Sequence, residues 1–299
     1  MLPGMVARPR VAIVGAGNFG SALALALRRA GYEIDAVLAR ARGKSSQGKS
    51  LRRARRLARQ VGGRGVTDLS EVRAELIWFC VPDAEIARAA AALAGKIEWE
   101  GRIVFHSSGA LASDELGVLR RRGAAVASVH PMMTFVRGTY LLRSQNTLAE
   151  VSFAVEGDAA AVRVARRVVK DLGGRAYSIR KEDKAAYHAW GTFASPLLTA
   201  LLATSEQVAG LAGVRRKAAR QRMIPILQQT LANYAEFGAA GGFSGPIVRG
   251  DVDTVKRHLG VLRGTPAAEV YWALAKAALR YLPAKNKSAL KRILDSSRE

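Results

Sequence analysis

The sequence has few acidic residues, one cysteine and no long apolar run. Of its 299 residues, 24 are Asp or Glu and 47 are Lys or Arg, so the formal net charge is +23 at pH 7. The single cysteine, Cys80, excludes a disulfide framework. No apolar run reaches the ~18–20 residues that span a bilayer, and the start shows no signal-peptide layout. We therefore expect a cytoplasmic protein that has no membrane partner.

The order of the apolar runs predicts two domains. Up to about residue 180, short apolar runs alternate with helical patterns, which is typical of a parallel sheet with helices on both faces. The predicted strands are RVAIVG, IDAVLA, LIWFCV, RIVFHS, AAVASVH, VSFAVE and RAYSI. Helical patterns follow over residues 181–209, 214–237, 251–262 and 265–282. We therefore predict a doubly wound α/β domain over residues 1–180 and an all-α domain over residues 181–299.

The positive charge is concentrated in one segment. Residues 36–67 contain no acid, and the run RARGKSSQGKSLRRARRLARQ holds nine Arg and Lys. A nucleic-acid patch is one interpretation, although the run lacks interleaved aromatic residues and a recognised motif. Arginines on a solvated helix face, or a phosphate site at the start of the run, also explain the charge. We do not expect a nucleic-acid partner.

A glycine-rich turn follows the first predicted strand. Gly15, Gly17 and Gly20 form the pattern GxGxxG, with Asn18 and Phe19 between the last two, and a helical pattern follows. In a strand–turn–helix context this pattern predicts a dinucleotide site, with the pyrophosphate at the helix N-terminus. The alternative is a glycine turn that binds no ligand. We expect the five residues of this turn to contact the cofactor.

The end of the second strand indicates which dinucleotide is bound. An NAD site normally has an acid at this point for the ribose hydroxyls, whereas this chain has Arg40, Arg42 and Ser45. A guanidinium can pair with a 2′-phosphate through two hydrogen bonds. The alternative is that Arg40 belongs to the general excess of arginine. We predict NADP(H) as the cofactor, and no metal, because no closely spaced ligand set is present.

Polar residues follow three further strands. Val81 ends the run LIWFCV and Pro82 follows it, Ser107 ends the run RIVFHS and Ser108 follows it, and His130 ends the run AAVASVH. Ligands of open parallel sheets bind outside the carboxyl ends of the strands. Each turn alone could be ordinary turn chemistry. Together they predict a pocket in which Val81 and Pro82 line the cofactor and Ser108 and His130 bind the substrate.

The first helix of the second domain carries a second candidate group. Lys184 and His188 are four residues apart and share one helix face, with Tyr187 beside Lys184. A helix that follows a dinucleotide domain starts beside the cleft, so the pair could stabilise a developing anion and relay a proton. The alternative is a solvated stripe on a surface helix. We predict Lys184 and His188 to be catalytic.

The motifs together resemble a known bacterial family. GAGNFG, VPD, HSSGAL, HPMMTF, KAAYHAWGTFAS and SGPIVRGD are similar to segments of Rossmann-like proteins with a C-terminal domain of unknown function (family 2520). That family looks like a branch of the 6-phosphogluconate and β-hydroxyacid dehydrogenase superfamily, which includes pyrroline-5-carboxylate reductase. HPMMTF is also similar to the HPM turn of prephenate dehydrogenases. The resemblance implies an NADP-linked oxidoreductase and a homodimer formed by the helical domain.

The resemblance also implies residue roles. Lys184 matches the superfamily's catalytic lysine, His188 replaces an asparagine, and Ser107 and Ser108 match a serine-bearing turn, so we add Ser107 to the catalytic residues. The family's Asn-Tyr pair is replaced by Pro-Leu after Ser195.

In the run SGPIVRGD, Arg249 could anchor a substrate carboxylate or phosphate. The loop could instead only join two helices. We predict Arg249 to bind the substrate.

Two classes of function fit these features. The first is an enzyme that moves a hydride between NADP(H) and a small carbonyl, hydroxy acid or imine. The second is a non-catalytic NADP-binding sensor or partner-binding protein that uses the same pocket. The sequence does not name the substrate.

Overall fold

The protein is described by a computed structural model over residues 8–39, 44–70, 72–136 and 148–296, with the backbone alone for residues 44–47. It forms two compact units, Met1–Thr192 and Phe193–Glu299. The sequence predicts that strands end and helices alone follow near residue 180, and the last strand ends at Ser178. The helix that follows this point, Lys184–Thr192, groups with the sheet.

The first unit is built on one sheet of eight strands in the order β3-β2-β1-β4-β5-β6-β7-β8. The strands are β1 (Val11–Val14), β2 (Ile34–Leu38), β3 (Arg64–Val66), β4 (Leu76–Phe79), β5 (Ile103–His106), β6 (Ala125–Pro131), β7 (Ser152–Gly157) and β8 (Arg175–Ser178). All seven predicted strands are confirmed. Sequence reasoning missed β3, which has only three residues, none of them buried.

Strand direction differs from the prediction at one place. Six of the seven strand pairs are parallel, but β6 and β7 are antiparallel, with Ser128 opposite Glu156 and His130 opposite Ala154. An all-parallel sheet was expected. The pattern of buried apolar residues does not distinguish the two directions, because strands buried on both faces give the same continuous runs.

Helices cover both faces of the sheet and bury two apolar clusters. The helices of this unit are α1 (Asn18–Arg29), α2 (Lys44–Val61), α3 (Ile86–Leu93), α4 (Gly117–Arg120), α5 (Ala159–Asp171) and α6 (Lys184–Thr192). Trp78 and Phe105 lie in one cluster and contact each other edge to face, while Phe79 and Trp99 lie in the other. Because both faces are covered, the carboxyl ends of the strands are where polar side chains can meet a ligand.

The basic segment forms the amphipathic helix α2. Ala54, Leu57, Ala58 and Val61 are buried against the sheet. Arg52, Arg53, Arg55, Arg56 and Arg59 are exposed. The apolar spacing therefore explains why this arginine-rich run is helical, since one face packs and the other stays in water.

The second unit is all helical, as expected. Its helices are α7 (Leu198–Leu211), α8 (Arg216–Gly242), α9 (Pro246–Arg249), α10 (Val252–Leu262), α11 (Pro266–Tyr281) and α12 (Lys287–Ser296), preceded by a π-helical turn over Phe193–Leu197. Val255, Leu259, Ala275, Leu290 and Leu294 form its core. Sequence reasoning missed α9 and α12.

Thr265 joins the ends of two helices. It precedes Pro266 at the start of α11, but its hydroxyl donates to the Leu262 carbonyl 2.7 Å away and makes no cap hydrogen bond to α11. The hydroxyl instead closes the end of the preceding helix.

Within the described residues, no single helix is long and apolar enough to cross a membrane. The bent pair Lys181–Leu211 and Arg216–Arg249 meets the length and composition criteria together.

Candidate active site at the carboxyl edge of the sheet

The glycine-rich turn has the geometry that its sequence predicts. Gly15 has a φ of +110°, and a Cβ there would lie 2.6 Å from the Cys80 carbonyl oxygen. A Cβ on Gly20 would overlap the Gly15 carbonyl oxygen, so this glycine allows α1 to pack closely on β1. Gly17 caps α1 and has open space around it. The turn therefore presents free backbone amides of a helix N-terminus to an anion.

A cavity of about 330 Å³ opens beside this turn. Its lining includes Gly15, Ala39, Thr67, Val81 and Leu93, which come from the ends of β1, β2, β3 and β4 and from α3. Val81 is thus a lining residue, and the exposed Pro82 follows it at the start of the next turn. The apolar walls suit the flat face of a nucleobase.

The side chains that we predict to bind the 2′-phosphate lie outside the described part of the chain. Arg40 and Arg42 lie outside the described residues, and Ser45 lies in the first turn of α2, where only the backbone is described. Their assignment stays a prediction.

The order of the strands shows which strand ends are neighbours of the glycine-rich turn. β2 and β3 lie on one side of β1, whereas β4, β5 and β6 lie on the other. The crevice of such a sheet opens where the strand order reverses. The cavity lies at this point, between the ends of β1, β2 and β3 on one side and the segment after β4 with α3 on the other.

The turns after β4 and β5 are joined by one hydrogen bond. Ser108 Oγ donates to Asp83 Oδ2 over 2.7 Å and accepts from the backbone N–H groups of Ala110 and Leu111. The Ser108 side chain is 3% exposed, whereas Asp83 is exposed. Ser108, predicted to bind substrate, therefore shapes its own turn and fixes the Asp83 carboxylate.

His106 lies directly beneath this turn. Its Nδ1 accepts from the Ser108 N–H, so its Nε2 carries the proton and donates to the Ala112 carbonyl. Burial, together with the nearby Lys184 charge, lowers the pKa of His106 to about 4, while the Ala112 hydrogen bond and the Asp83 charge act in the opposite direction. The imidazole is therefore neutral near pH 7 and serves as a bridge between backbone groups.

Lys184 does not reach into the open site. Its side chain is 1% exposed, and Nζ donates to the Ser108 carbonyl at 3.0 Å and to Ser128 Oγ at 2.6 Å. Burial lowers the pKa of Lys184 to about 8, with the charges of Glu156 and Asp83 acting in the opposite direction. Lys184 and His188 both approach the turn of Ser108 and Gly109, in keeping with their shared helix face, but the lysine is buried and His188 is exposed. Their catalytic roles stay a prediction.

The rings of His130 and His188 lie against Gly109. A Cβ on Gly109 would be 2.8 Å from His130 Nε2 and 2.7 Å from His188 Cδ2. His130 Nδ1 shares a 2.7 Å hydrogen bond with the Tyr187 hydroxyl, and burial lowers the pKa of His130 to about 4. Burial also raises the pKa of Tyr187. His130 and Tyr187 are therefore a neutral pair near pH 7.

Ser107 and Asn18, two further predicted site residues, make hydrogen bonds to other residues of the first unit. Ser107 Oγ accepts a 2.8 Å hydrogen bond from the buried indole N–H of Trp78. Asn18 donates to the Phe135 carbonyl at 3.0 Å, and the Phe19 and Phe135 rings are 5.0 Å apart. The segment that follows β6 is thereby held to the glycine-rich turn.

Arg249 lies in the second unit. Its guanidinium donates to Asp251 Oδ2 at 2.9 Å, and its side chain is 61% exposed. This ion pair favours the interpretation in which the loop joins two helices. No group of three or more possible metal ligands occurs within the described ranges.

Sequence reasoning missed residues that organise this site. Asp83, Gly109 and Ser128 were not assigned roles. A signal existed for Ser128, because it is a polar residue in the middle of a buried strand, where a hydrogen-bond partner is required. Gly109 follows two serines at a strand end, which indicates a tight turn but not the two rings against it.

Comparison with known proteins agrees with this architecture. Residues 4–131 match the model of the family described as Rossmann-like domain, and residues 151–278 match the model described as Domain of unknown function (DUF2520). The chain carries a Rossmann-like domain followed by a DUF2520 domain. The resemblance seen in the motifs is thereby confirmed. No protein of curated function is significantly similar to the chain.

Solved structures share this two-part fold. A candidate NADP oxidoreductase from Bacteroides fragilis (BF3122) is 22% identical, with a TM-score of 0.71 over 90% of this chain and 97% of its own. TM1727 from Thermotoga maritima is 23% identical, with a TM-score of 0.67 over 97% and 100%. A reductive aminase from Aspergillus terreus, solved with NADPH and ethyl-5-oxohexanoate, is 17% identical, with a TM-score of 0.64 over 96% and 99%. At these identities the likeness shows the fold.

Two glycine substitutions test the turn separately from the fold. We expect Gly20→Ala to lower the free energy of unfolding by about 1–3 kcal/mol, because its Cβ meets backbone. Gly17→Ala has room for a methyl group and should keep the stability, yet weaken NADPH binding at least about tenfold by blocking the pyrophosphate. Urea unfolding and NADPH titration measure the two effects. Wild-type affinity in Gly17→Ala would contradict a pyrophosphate on this turn.

Proposed function

We propose that the protein is an NADP(H)-dependent oxidoreductase that transfers a hydride to or from a small carbonyl, hydroxy acid or imine. The observation that carries this proposal is the arrangement of one crevice. The glycine-rich turn and the apolar cavity lie where the strand order reverses, and Asp83, Gly109 and His130 lie at the ends of the neighbouring strands β4, β5 and β6 on the same edge of the sheet. A dinucleotide bound across this point presents its reactive end to the second group.

The structural neighbours support the same reaction class. The reductive aminase from Aspergillus terreus was solved with NADPH, and a pyrroline carboxylate reductase from Plasmodium falciparum was solved with NADP. Both share the fold of this chain across nearly its whole length. When NADPH is bound it supplies the hydride, and the protein binds, orients and handles protons.

Within this proposal Lys184 is a positioning residue. Its buried ammonium holds the Ser108 carbonyl and so fixes the turn that continues to Gly109. His188 is exposed beside Gly109 and is our candidate for exchanging a proton with the substrate. Ser107 acts through Trp78 and the sheet, because its hydroxyl accepts from the indole.

Replacing Lys184 tests whether this turn supports turnover. We expect Lys184→Ala to lower kcat by about 100-fold, because a shift of about 1 Å at a reacting centre has an effect of that size. The affinity for NADPH should stay within about twofold, since the phosphate turn is separate. The measurement is NADPH oxidation with a panel of carbonyls and imines. The control is Lys181→Ala, which removes an exposed lysine paired with Asp114.

Unchanged kcat in Lys184→Ala would remove the positioning role. NADPH binding without turnover of any compound in the panel by the wild type would favour the non-catalytic sensor instead.

The choice of NADP over NAD rests on Arg40. Loss of a charge-assisted contact to the 2′-phosphate costs about 1.5–3 kcal/mol, which is roughly a tenfold to hundredfold loss of affinity. We expect the wild type to bind NADPH more tightly than NADH and Arg40→Ala to remove most of this preference. Titration of both cofactors measures it, with Arg53→Ala as the control on the exposed face of α2. Equal affinities in the wild type would contradict the assignment.

We also propose that the helical unit forms a homodimer. α8 is continuous from Arg216 to Phe237, before Gly238 breaks the helical geometry, and Ala219 is the one buried residue of α8 in the described chain. Its exposed apolar residues are Ile224, Ile226, Leu231, Tyr234 and Phe237. At 100° per residue they cover about half of the helix circumference, which is more apolar surface than a solvated helix carries.

Sedimentation velocity tests this arrangement. The wild type should sediment at twice the 32.0 kDa chain mass, and the double variant Ile226→Glu with Tyr234→Glu should be a monomer. Lys217→Glu is the control, since it changes charge on the same helix and leaves the apolar residues intact. A monomeric wild type at micromolar concentration would refute the dimer.

A further inference from the structure

Asp83 is an oriented carboxylate at the carboxyl edge of the sheet, between the cavity residues Val81 and Glu85 in sequence and bonded to the turn after β5. It follows β4 directly after Pro82, and its Oδ2 is held by Ser108 Oγ. Ser108 is itself fixed by the N–H groups of Ala110 and Leu111, so the carboxylate cannot turn freely. The Asp83 side chain nevertheless remains exposed. A fixed and accessible carboxylate is suited to bind a cation.

The Lys184 ammonium acts electrostatically on both Asp83 and Glu156, but it is buried and not accessible to a ligand. The Lys184 ammonium is 1% exposed and donates to Ser108 and Ser128, and no ion pair joins it to Asp83 among the described contacts. His106 bridges two backbone groups, and His130 bonds to Tyr187. Both imidazoles are neutral near pH 7 because burial lowers their pKa to about 4. The accessible charge that these residues present is therefore negative.

We propose that Asp83 binds the positive charge of a protonated imine, and that the substrate class of this site is iminium ions and the corresponding amines. The inference rests on the proposed oxidoreductase function. Anionic substrates such as keto acids are disfavoured, because their carboxylates would face that of Asp83. Arg249, the residue expected to bind such anions, is paired with Asp251.

The reaction balances without an acid from the protein. A hydride from NADPH adds to the carbon of the C=N⁺ bond, the π electron pair moves to nitrogen, and the products are a neutral amine and NADP⁺. A ketone, by contrast, becomes an alkoxide that must take a proton from a neighbouring group. His188, the candidate for proton exchange, would have to supply that proton to a ketone, whereas an iminium ion gives a neutral amine without one.

Two variants separate the charge of Asp83 from its hydrogen bond. Asp83→Asn removes the charge but keeps an oxygen that can accept from Ser108 Oγ. Ser108→Ala keeps the charge and removes the bond. Glu75→Gln is the control, because Glu75 is a carboxylate at the opposite end of the same strand and pairs with Arg10. All are full-length chains loaded with NADP⁺ for binding or with NADPH for turnover.

The experiment compares a cyclic imine with the cyclic ketone of the same ring size, and measures binding of the cyclic amine to the NADP⁺ complex by calorimetry. We expect Asp83→Asn to raise the amine Kd and the imine KM by about 10–100-fold. The ketone kcat/KM and the NADPH affinity should change less than about twofold. Ser108→Ala should give a smaller loss, and Glu75→Gln none.

The outcomes distinguish failure of the cation site at Asp83 from failure of the proposed oxidoreductase function. Weaker amine binding in Asp83→Asn without turnover of any substrate supports the cation site and refutes the enzyme. Turnover with equal losses for imine and ketone refutes the cation site and leaves the enzyme intact. Weaker NADPH binding in Asp83→Asn assigns the carboxylate to the cofactor and also overturns the inference.

Discussion

The buried ammonium group of Lys184 is the contact on which the rest of the site depends. A desolvated charge is stable in a protein only if hydrogen bonds replace the water it has lost, and here the Ser108 carbonyl and Ser128 hydroxyl do so. One partner belongs to the turn after β5 and the other to β6, while Lys184 begins α6. A single side chain therefore joins a helix to two neighbouring strands. The cost of burial appears as the lowered pKa of the amine.

Further hydrogen bonds connect the Lys184 contact to the neighbouring turns. The fixed Ser108 turn holds Asp83 on one side and continues to Gly109 on the other, where two imidazole rings lie against the backbone. A second set of contacts runs from Asn18 and Phe19 to Phe135 and connects the segment after β6 to the glycine-rich turn. Each of these two sets of contacts fixes one part of the crevice within the first unit. Such support is what keeps reacting groups in place.

The sequence predicts the parts of this molecule that depend on local patterns. Gly15 and Gly20 are required by backbone geometry within one turn, so the pattern GxGxxG carries the whole explanation. Apolar runs likewise identify strands. The direction of β7 and the burial of Lys184 depend on which residues meet across the fold, and a single sequence does not record such meetings. Helical periodicity predicts that Lys184 and His188 share one face. It does not predict that Ser128, on a distant strand, accepts a hydrogen bond from Lys184 alone.

Gly109 has a consequence for how this site can change in evolution. His130 and His188 come from a strand and a helix that are distant in the chain, yet both approach the same α-carbon within the reach of a methyl group. Drift at position 109 toward even the smallest side chain requires both rings to move or shrink at once. Acceptable changes at the three positions are therefore coupled, because a side chain at 109 fits only if the rings at 130 and 188 are displaced or replaced. Histidine at 130 and at 188 is therefore compatible with this geometry only while residue 109 has no side chain.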